Sequence, residues 1–194
     1  MKHAVLGQPL LLGSTAGSPS LSRVDEARLR AVVDAHFDTL WRFLRRLGVA
    51  EADVDDAVQE VILVLTRKLD SIEVGKERSF VMSTAFRVAS DVRRRTRRRR
   101  EVDAEQLVEL PSAAADPEAS AQKQQMRALF AQVLEQLSLD LRAVFVLYEL
   151  EDFTMAEIAQ TLQLPAGTVA SRLRRAREAF ETLASRALSA RGLP

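Results

Sequence analysis

The chain has 194 residues and a formal net charge of +1, with 47% hydrophobic, 28% charged and 5% aromatic residues. This is the composition of a soluble folded chain with one medium domain or two small helical ones. There is no cysteine, which excludes disulfides, zinc–thiolate sites and thiol catalysis, and no stretch approaches the ~18 apolar residues of a membrane span.

An apolar run from Ala4 to Leu12 lies near the start of the chain, but Gly7, Gln8 and Pro9 interrupt it. A secretory signal has a continuous apolar centre, so the run is a poor match to one. The sequence therefore predicts a disordered tail over residues 1–21.

Three amphipathic helices are predicted next. The first begins at Ser22 and ends at Gly48, because glycine is a good helix stop. The second begins near Ala52, and the third runs from about Ser79 into a cluster of arginines. Apolar residues recur every three or four positions along the first helix, which makes one buried stripe: Leu29, Val33, Phe37, Leu40, Trp41, Leu44 and Leu47.

The second helix has an unusual outer face. Asp56, Gln59, Glu60 and Leu63 lie together on the side opposite its apolar stripe. Acidic groups around an exposed leucine suit the docking of a basic helical partner. Considered alone, the same face is more simply explained as a solvated helix surface with one stray leucine.

The third helix is a possible nucleic-acid surface. Arg87, Ser90, Asp91 and Arg94 project on its polar side, and Phe80 starts the helix, while Met82 and Phe86 lie at the edge of its apolar stripe. Aromatic rings beside basic residues can hold unstacked bases, although packing in the core explains each phenylalanine equally well. Seven arginines follow within eight positions, a charge density typical of phosphate contacts: Arg93, Arg94, Arg95, Arg97, Arg98, Arg99 and Arg100.

Residues 102–120 interrupt the helical pattern. Pro111 and Pro117, with several serines, alanines and acids, predict a flexible linker. Helical periodicity returns near Gln122 and continues to about Ala190, and no alternating stretch is long enough to predict a sheet. The fold class expected is therefore all-α, with two small helical domains over 22–101 and 121–194, each with its own core.

The segment from Phe153 to Phe180 predicts a helix-turn-helix. Thr154 and Glu157 have the spacing of a capping box that starts a short helix. The chain turns over residues 163–167, and Thr168 can cap or start a second helix. That helix would bury residues at spacings of four, three and four: Val169, Leu173, Ala176 and Phe180.

The outward face of this second helix is basic. At 100° per residue, Ser171, Arg174, Arg175 and Glu178 point away from the buried stripe, and Thr168 and Arg172 flank them. Arginine can bind a guanine edge through two hydrogen bonds, and hydroxyl groups can reach bases or phosphates. With the capped helix and the turn beside it, DNA binding is favoured over an ordinary solvated helix.

In this order, the pieces resemble the extracytoplasmic-function group of the sigma-70 family of bacterial RNA polymerase sigma factors. Residues 53–62 (DVDDAVQEVI) resemble the group's polymerase-docking helix, and residues 79–95 (SFVMSTAFRVASDVRRR) its promoter-melting helix. Residues 165–178 (PAGTVASRLRRARE) are very similar to its recognition helix and are the most specific of the three motifs.

The resemblance implies a role for each surface. It implies that Asp55, Asp56, Gln59, Glu60 and Leu63 bind core RNA polymerase. It assigns binding of the −10 promoter element to the third helix, and the loop 71–79 before it helps to capture a flipped base. The helix residues implied are Phe80, Phe86, Arg87, Ser90, Arg94 and Arg95, with Arg93–Arg100 on the backbone phosphates. It assigns the −35 element to Thr168, Ser171, Arg172, Arg174 and Arg175.

The sequence departs from the family pattern at three positions. The family usually has tryptophan at Phe80, often asparagine at Arg87, and usually glycine in the turn at Gln163. If the turn requires a positive φ, Gln163 costs on the order of 1 kcal/mol.

The resemblance also implies partners: core RNA polymerase, promoter DNA and an anti-sigma factor, in the cytoplasm and without membrane insertion. One alternative is a stand-alone helix-turn-helix regulator that binds duplex DNA as a dimer. An enzyme is disfavoured, because the sequence has no phosphate-binding glycine loop, no metal-ligand cluster and no nucleophile paired with a base. No cofactor or metal is expected, and His36 is interpreted as a packed or surface histidine.

Overall fold

The computed structural model describes residues 23–102 and 120–191, and these form seven α-helices, one short 3₁₀ turn (Leu69–Ser71) and no strand. The all-α prediction is confirmed. The predicted tail and most of the predicted linker lie outside the described residues, whereas Val102 and Ser120 are helical. The helices are α1 (Arg23–Arg46), α2 (Glu51–Lys68), α3 (Glu77–Val102), α4 (Ser120–Gln136), α5 (Leu139–Glu149), α6 (Met155–Leu162) and α7 (Ala166–Ser189).

Helices α1, α2 and α3 pack against one another and make the N-terminal unit. Arg28 on α1 ties this unit together, since its guanidinium donates to the Glu77 carboxylate at 2.7 Å and to the Ile72 carbonyl at 2.6 Å. The turn after α1 reverses at Gly48, whose φ of 89° is one that glycine tolerates best. The predicted stop of the first helix therefore lies where the structure turns.

Helices α4 to α7 make the C-terminal unit, in which α7 packs on α4, α5 and α6. Its aromatic centre joins three helices, because the Phe180 ring stacks on Phe145 with centroids 4.8 Å apart and contacts Phe130 at 5.4 Å. Val169, Leu173 and Ala176 are buried as predicted, whereas Phe180 remains partly exposed at the edge of the cluster.

The two units also pack on each other. Helix α6 lies along α3, and α5 contacts α1. The buried apolar residues consequently form one continuous cluster, from Phe43 and Met82 in the N-terminal unit to Phe153 and Ile158 in the C-terminal unit. Two separate cores were expected, and the difference arises because side chains far apart in sequence meet at this junction. Among the described helices, none has the length and apolarity needed to cross a bilayer.

Candidate nucleic-acid and polymerase interfaces

The outer face of α2 is acidic and open to solvent. The helix is held by its opposite face, where Val54, Val58 and Val61 are buried. Leu63 is 54% exposed although it is a large apolar side chain. The polar residues predicted for polymerase binding lie around Leu63 on the same side of α2, and all of them are exposed: Asp55, Asp56, Gln59 and Glu60.

The loop before α3 is held by carboxylate hydrogen bonds. Gly75, with φ of 88°, donates its N–H to the Glu77 carboxylate at 2.6 Å, and Arg28 donates to the same group. Burial alone would raise the pKa of Glu77, but the hydrogen bonds from Arg28 and from backbone N–H groups outweigh it and keep the pKa below its ordinary value. The loop therefore reaches Phe80 in a defined conformation, with Val74 at its exposed tip.

Helix α3 is more deeply packed than its sequence predicts. Met82, expected at the edge of the apolar stripe, is fully buried, and Phe80 and Phe86 are half-buried. The reason is that α3 lies between the other N-terminal helices and α6, so that two of its faces are covered. Arg87 remains exposed.

The other polar residues predicted on α3 have partners within the helix. The Ser90 hydroxyl donates to the Phe86 carbonyl at 2.8 Å, and Arg94 pairs with Asp91 at 2.9 Å. The side chains of Arg94 and Asp91 are both largely exposed, so this ion pair contributes little stability. Arg94 can therefore leave Asp91 and bind a phosphate group instead.

The arginine cluster divides into two groups. Arg93 turns inward and donates to the Leu47 carbonyl at 3.0 Å, at the end of α1, so it is not positioned for the phosphate contact expected of it. The remaining arginines with described side chains are exposed: Arg94, Arg95, Arg97, Arg98 and Arg99.

The helix-turn-helix is built from local signals in the sequence. Thr154 and Glu157 form the predicted capping box at the start of α6, with the Thr154 N–H 2.8 Å from the Glu157 carboxylate. The hydrogen bonds from the Thr154 N–H and hydroxyl lower the pKa of Glu157. Gln163 then adopts φ 54° and ψ 47° at the turn. Helix α7 starts at Ala166 with Pro165 at its N-cap, so Thr168 lies within the first turn and is not the cap.

Arg174 and Arg175 are the most accessible cations on the predicted recognition face. Arg174 is exposed and pairs with Glu178 at 2.7 Å, and the Arg175 guanidinium donates to the Ser171 carbonyl at 3.3 Å. The Ser171 hydroxyl donates to the Thr168 carbonyl. Arg172 instead turns toward α5, where it pairs with Asp140 at 3.0 Å and keeps 23% exposure.

The polar residues at the junction between the two units follow no motif in the sequence. The principal ones are Arg78, Arg142 and Glu151. They lie far apart in the sequence, and only tertiary packing brings them to the junction. No cluster of histidine, aspartate or glutamate suited to a metal ion lies within residues 23–102 and 120–191.

The family profiles match both units. The profile described as "Sigma-70 region 2" matches residues 32–99, which include the α2 and α3 surfaces. The profile described as "Sigma-70, region 4" matches residues 127–180, which include the helix-turn-helix.

Curated relatives match most of the chain. The ECF RNA polymerase sigma factor SigL of Mycobacterium tuberculosis is 32% identical over 151 residues, covering 77% of this chain and 84% of the relative. The ECF RNA polymerase sigma-E factor of Escherichia coli is 32% identical, covering 69% and 74%. SigE of Mycolicibacterium smegmatis is 29% identical over 148 residues, and the match spans 58% of that protein.

Two solved structures share the fold. The sigma factor RpoE of Bartonella quintana, in complex with the anti-sigma factor NepR, aligns with a TM-score of 0.65 at 22% identity, covering 84% of this chain and 97% of that one. CnrH, in complex with the cytosolic domain of CnrY, aligns with a TM-score of 0.60 at 23% identity, covering 81% and 88%.

Proposed function

The chain belongs to the extracytoplasmic-function group of the sigma-70 family, and from that premise we propose how its two units divide the work of promoter recognition. It is an RNA polymerase sigma factor. In our proposal the N-terminal unit binds core polymerase and opens the −10 element, while the C-terminal unit reads the −35 element.

We assign core-polymerase binding to the outer face of α2. Four polar groups, two of them adjacent aspartates, surround the exposed Leu63 on a helix whose other face is fully packed. A basic helical partner would gain apolar contact at the leucine and charge complementarity around it. The partner that fits is the largest subunit's clamp helices, as the family resemblance implies.

We assign the −10 element to α3 and the loop before it. The half-buried Phe80 and Phe86 offer ring edges beside the exposed Arg87, and the exposed arginines farther along the helix suit the phosphate backbone. A base captured in the loop must first leave the stack, which costs a few kcal/mol and favours a melt-prone sequence.

We assign the −35 element to α7, with Arg174 and Arg175 on base edges and Thr168 and Ser171 on phosphate or base edges. Arg172 is given a supporting role, because Asp140 holds it against α5. The opposite face of α7 is buried through Val169, Leu173 and Ala176, which leaves these side chains on the outer surface.

The same surfaces are proposed to meet an anti-sigma factor in the cytoplasm. Of the two solved structures that share this fold, one is a sigma factor in complex with an anti-sigma factor, and the other is CnrH in complex with the cytosolic domain of CnrY. The chain itself is proposed to perform no catalysis, because the polymerase supplies the chemistry of RNA synthesis.

The observation that carries the proposal is the presence of two separate exposed faces, acidic on α2 and basic on α7, on units that match regions 2 and 4. The test is transcription by purified core polymerase on a genomic fragment library, with and without the protein. Start sites that appear only with the protein, sharing two upstream elements, are expected. Tight binding to duplex DNA as a dimer, with no new start sites, would favour the stand-alone regulator instead.

A further inference from the structure

One side chain of α1 holds both ends of the segment that joins α2 to α3. The Arg28 guanidinium donates to the Leu69 carbonyl at 3.2 Å and to the Ile72 carbonyl at 2.6 Å, near the start of the segment. It also donates to one oxygen of the Glu77 carboxylate at 2.7 Å and 3.1 Å, where the segment meets α3. The planar fork of arginine offers several donors in fixed directions, whereas lysine is a single point, so this contact depends on the residue type.

Glu77 extends the network to the corner of the turn 72–76. Its other carboxylate oxygen accepts the Gly75 N–H at 2.6 Å, and the Lys76 N–H donates to the Glu73 carbonyl at 3.0 Å. With a φ of 88° at Gly75, this hydrogen bond has the pattern of a type II turn, which puts Val74 and Gly75 at the corner. The shape of the corner is thus linked through Glu77 to Arg28.

Packing holds the start of this turn but does not hold its corner. Ile72 is buried, whereas residues 73–76 are all exposed and the Val74 side chain is 81% exposed. Within the part of the chain that the structure describes, a Cβ added at Gly75 would meet no atom within 4 Å beyond its chain neighbours. An exposed loop with few apolar contacts opens easily, so the hydrogen bonds from Arg28 and Glu77 are what select one conformation.

We propose that Arg28 is a positioning residue, which holds the turn 72–76 in the conformation that captures the base flipped from the −10 element. This inference rests on the proposed function, since it deepens the role given to the loop before α3. A loop that is already ordered does not have to lose conformational entropy when the base arrives, so the base is held more tightly. Arg28 contacts the start and end of the segment and not its exposed corner, so its effect on DNA is indirect.

The order of the turn is measured first, in the free full-length protein, by amide hydrogen exchange followed by NMR. The test variant is Arg28→Gln, and the matched control is Arg30→Gln, which removes the same charge from an exposed position of α1. We expect the Gly75 and Lys76 amides to exchange on the order of tenfold faster in Arg28→Gln, since charge-assisted hydrogen bonds are lost. Arg30→Gln should match the parent, and circular dichroism with thermal melting establishes that each variant is folded.

Base capture is measured next, with holoenzyme and single-stranded oligonucleotides that carry a −10 element taken from the mapped start sites. A series of oligonucleotides, each lacking one base, identifies the captured position as the one whose loss weakens binding of the parent most. We expect Arg28→Gln to bind the intact oligonucleotide on the order of tenfold more weakly than the parent. The two proteins should bind the oligonucleotide that lacks the captured base equally, because an ordered turn gives no advantage when no base enters it.

Two further variants separate the geometry of the guanidinium from its charge and from folding. Arg28→Lys keeps the charge but cannot serve both ends of the segment, so its affinity for the intact oligonucleotide should lie closer to that of Arg28→Gln than to that of the parent. If Arg28→Gln fails to fold, Glu77→Gln breaks the same network at α3, because an amide has a single acceptor oxygen for Arg28 and Gly75 together.

Unchanged exchange at Gly75 in a folded Arg28→Gln protein overturns the proposal. Equal weakening on every oligonucleotide, intact or lacking a base, also overturns it, because a general structural role would have that effect. Neither result speaks against promoter-directed transcription, which is measured separately with core polymerase. If the parent directs no transcription, the proposed function fails and base capture fails with it, while faster exchange in Arg28→Gln would still show that Arg28 orders the turn.

Discussion

Gln163 occupies the left-handed conformation at the turn between α6 and α7, with φ 54° and ψ 47°. Residues other than glycine adopt this region at a cost of about 1 kcal/mol or more, because Cβ approaches the neighbouring carbonyl. The folded protein therefore carries the conformational cost, on the order of 1 kcal/mol, that is predicted for Gln163 if the turn has a positive φ. The turn is retained because α6 and α7 are both packed in the C-terminal core.

Replacing Gln163 with glycine should stabilise the protein by about 1 kcal/mol, because the strained conformation becomes an ordinary one. Urea unfolding followed by circular dichroism measures the change. Glu181→Gly, at an exposed position inside α7, should instead destabilise by a similar amount. A loss of stability in both variants would show that the turn is not strained.

Replacing Arg175 with alanine should weaken binding of the holoenzyme to −35 DNA by about 1–3 kcal/mol, the worth of one specific base contact. Arg172→Ala is the matched control and should have a smaller effect on base preference, since Arg172 is held by Asp140. Competition binding with substituted promoters measures both. Loss of polymerase binding in Arg175→Ala would contradict the assignment of α7 to DNA.

At the scale of elements, helices α2 and α7 each carry one face that packs and one that is proposed to bind. Helix α2 is the clearest case, because its buried valines and its exposed acids lie on opposite sides. Changes on the outer side should therefore affect partners and leave folding intact. Helix α6 differs, because its stability depends on a capping box at its first turn.

Replacing Asp56 and Glu60 together with lysine should abolish assembly with core polymerase, since two attractive charges become repulsive. Gel filtration of the mixture measures assembly, and the melting temperature should change little because both side chains are exposed. Asp34→Lys with Asp38→Lys makes the same charge change on the exposed side of α1 and should leave the holoenzyme intact. A holoenzyme that survives the α2 change would refute the docking assignment.

The capping box predicts a dependence of stability on pH. Hydrogen bonds from Thr154 keep the pKa of Glu157 below its unfolded value of 4.5, so its contribution is complete above pH 4.5 and is lost as pH falls through the folded pKa. Urea unfolding between about pH 7 and pH 3 should show this loss in the parent. Glu157→Gln, which retains a capping amide, should lose less over the same window, and an equal loss would exclude Glu157 as a source.

At the scale of the whole molecule, burial and the neighbouring Arg93 cation lower the pKa of Arg142 to about 10, so its guanidinium stays charged at neutral pH. A buried cation of this kind is tolerated because backbone carbonyls surround it. It joins α5 to the end of α1, and the Glu151 pairs join α1 to the segment that follows α5.

Local patterns in the sequence predict helices α1, α2 and α3, the helix-turn-helix of α6 and α7, the stop at Gly48, the capping box and the exposed faces of α2 and α7, but not the division of the preceding stretch into α4 and α5. These features depend on periodicity and on residues three or four positions apart, which neighbouring positions reveal. The tertiary structure was needed to show that Met82 is fully buried, that Arg93 donates to the Leu47 carbonyl and Arg172 pairs with Asp140, and that Glu151 joins the two units. Each of these depends on a partner from another element, and the physical reason is that a side chain's burial and pairing are set by what packs against it.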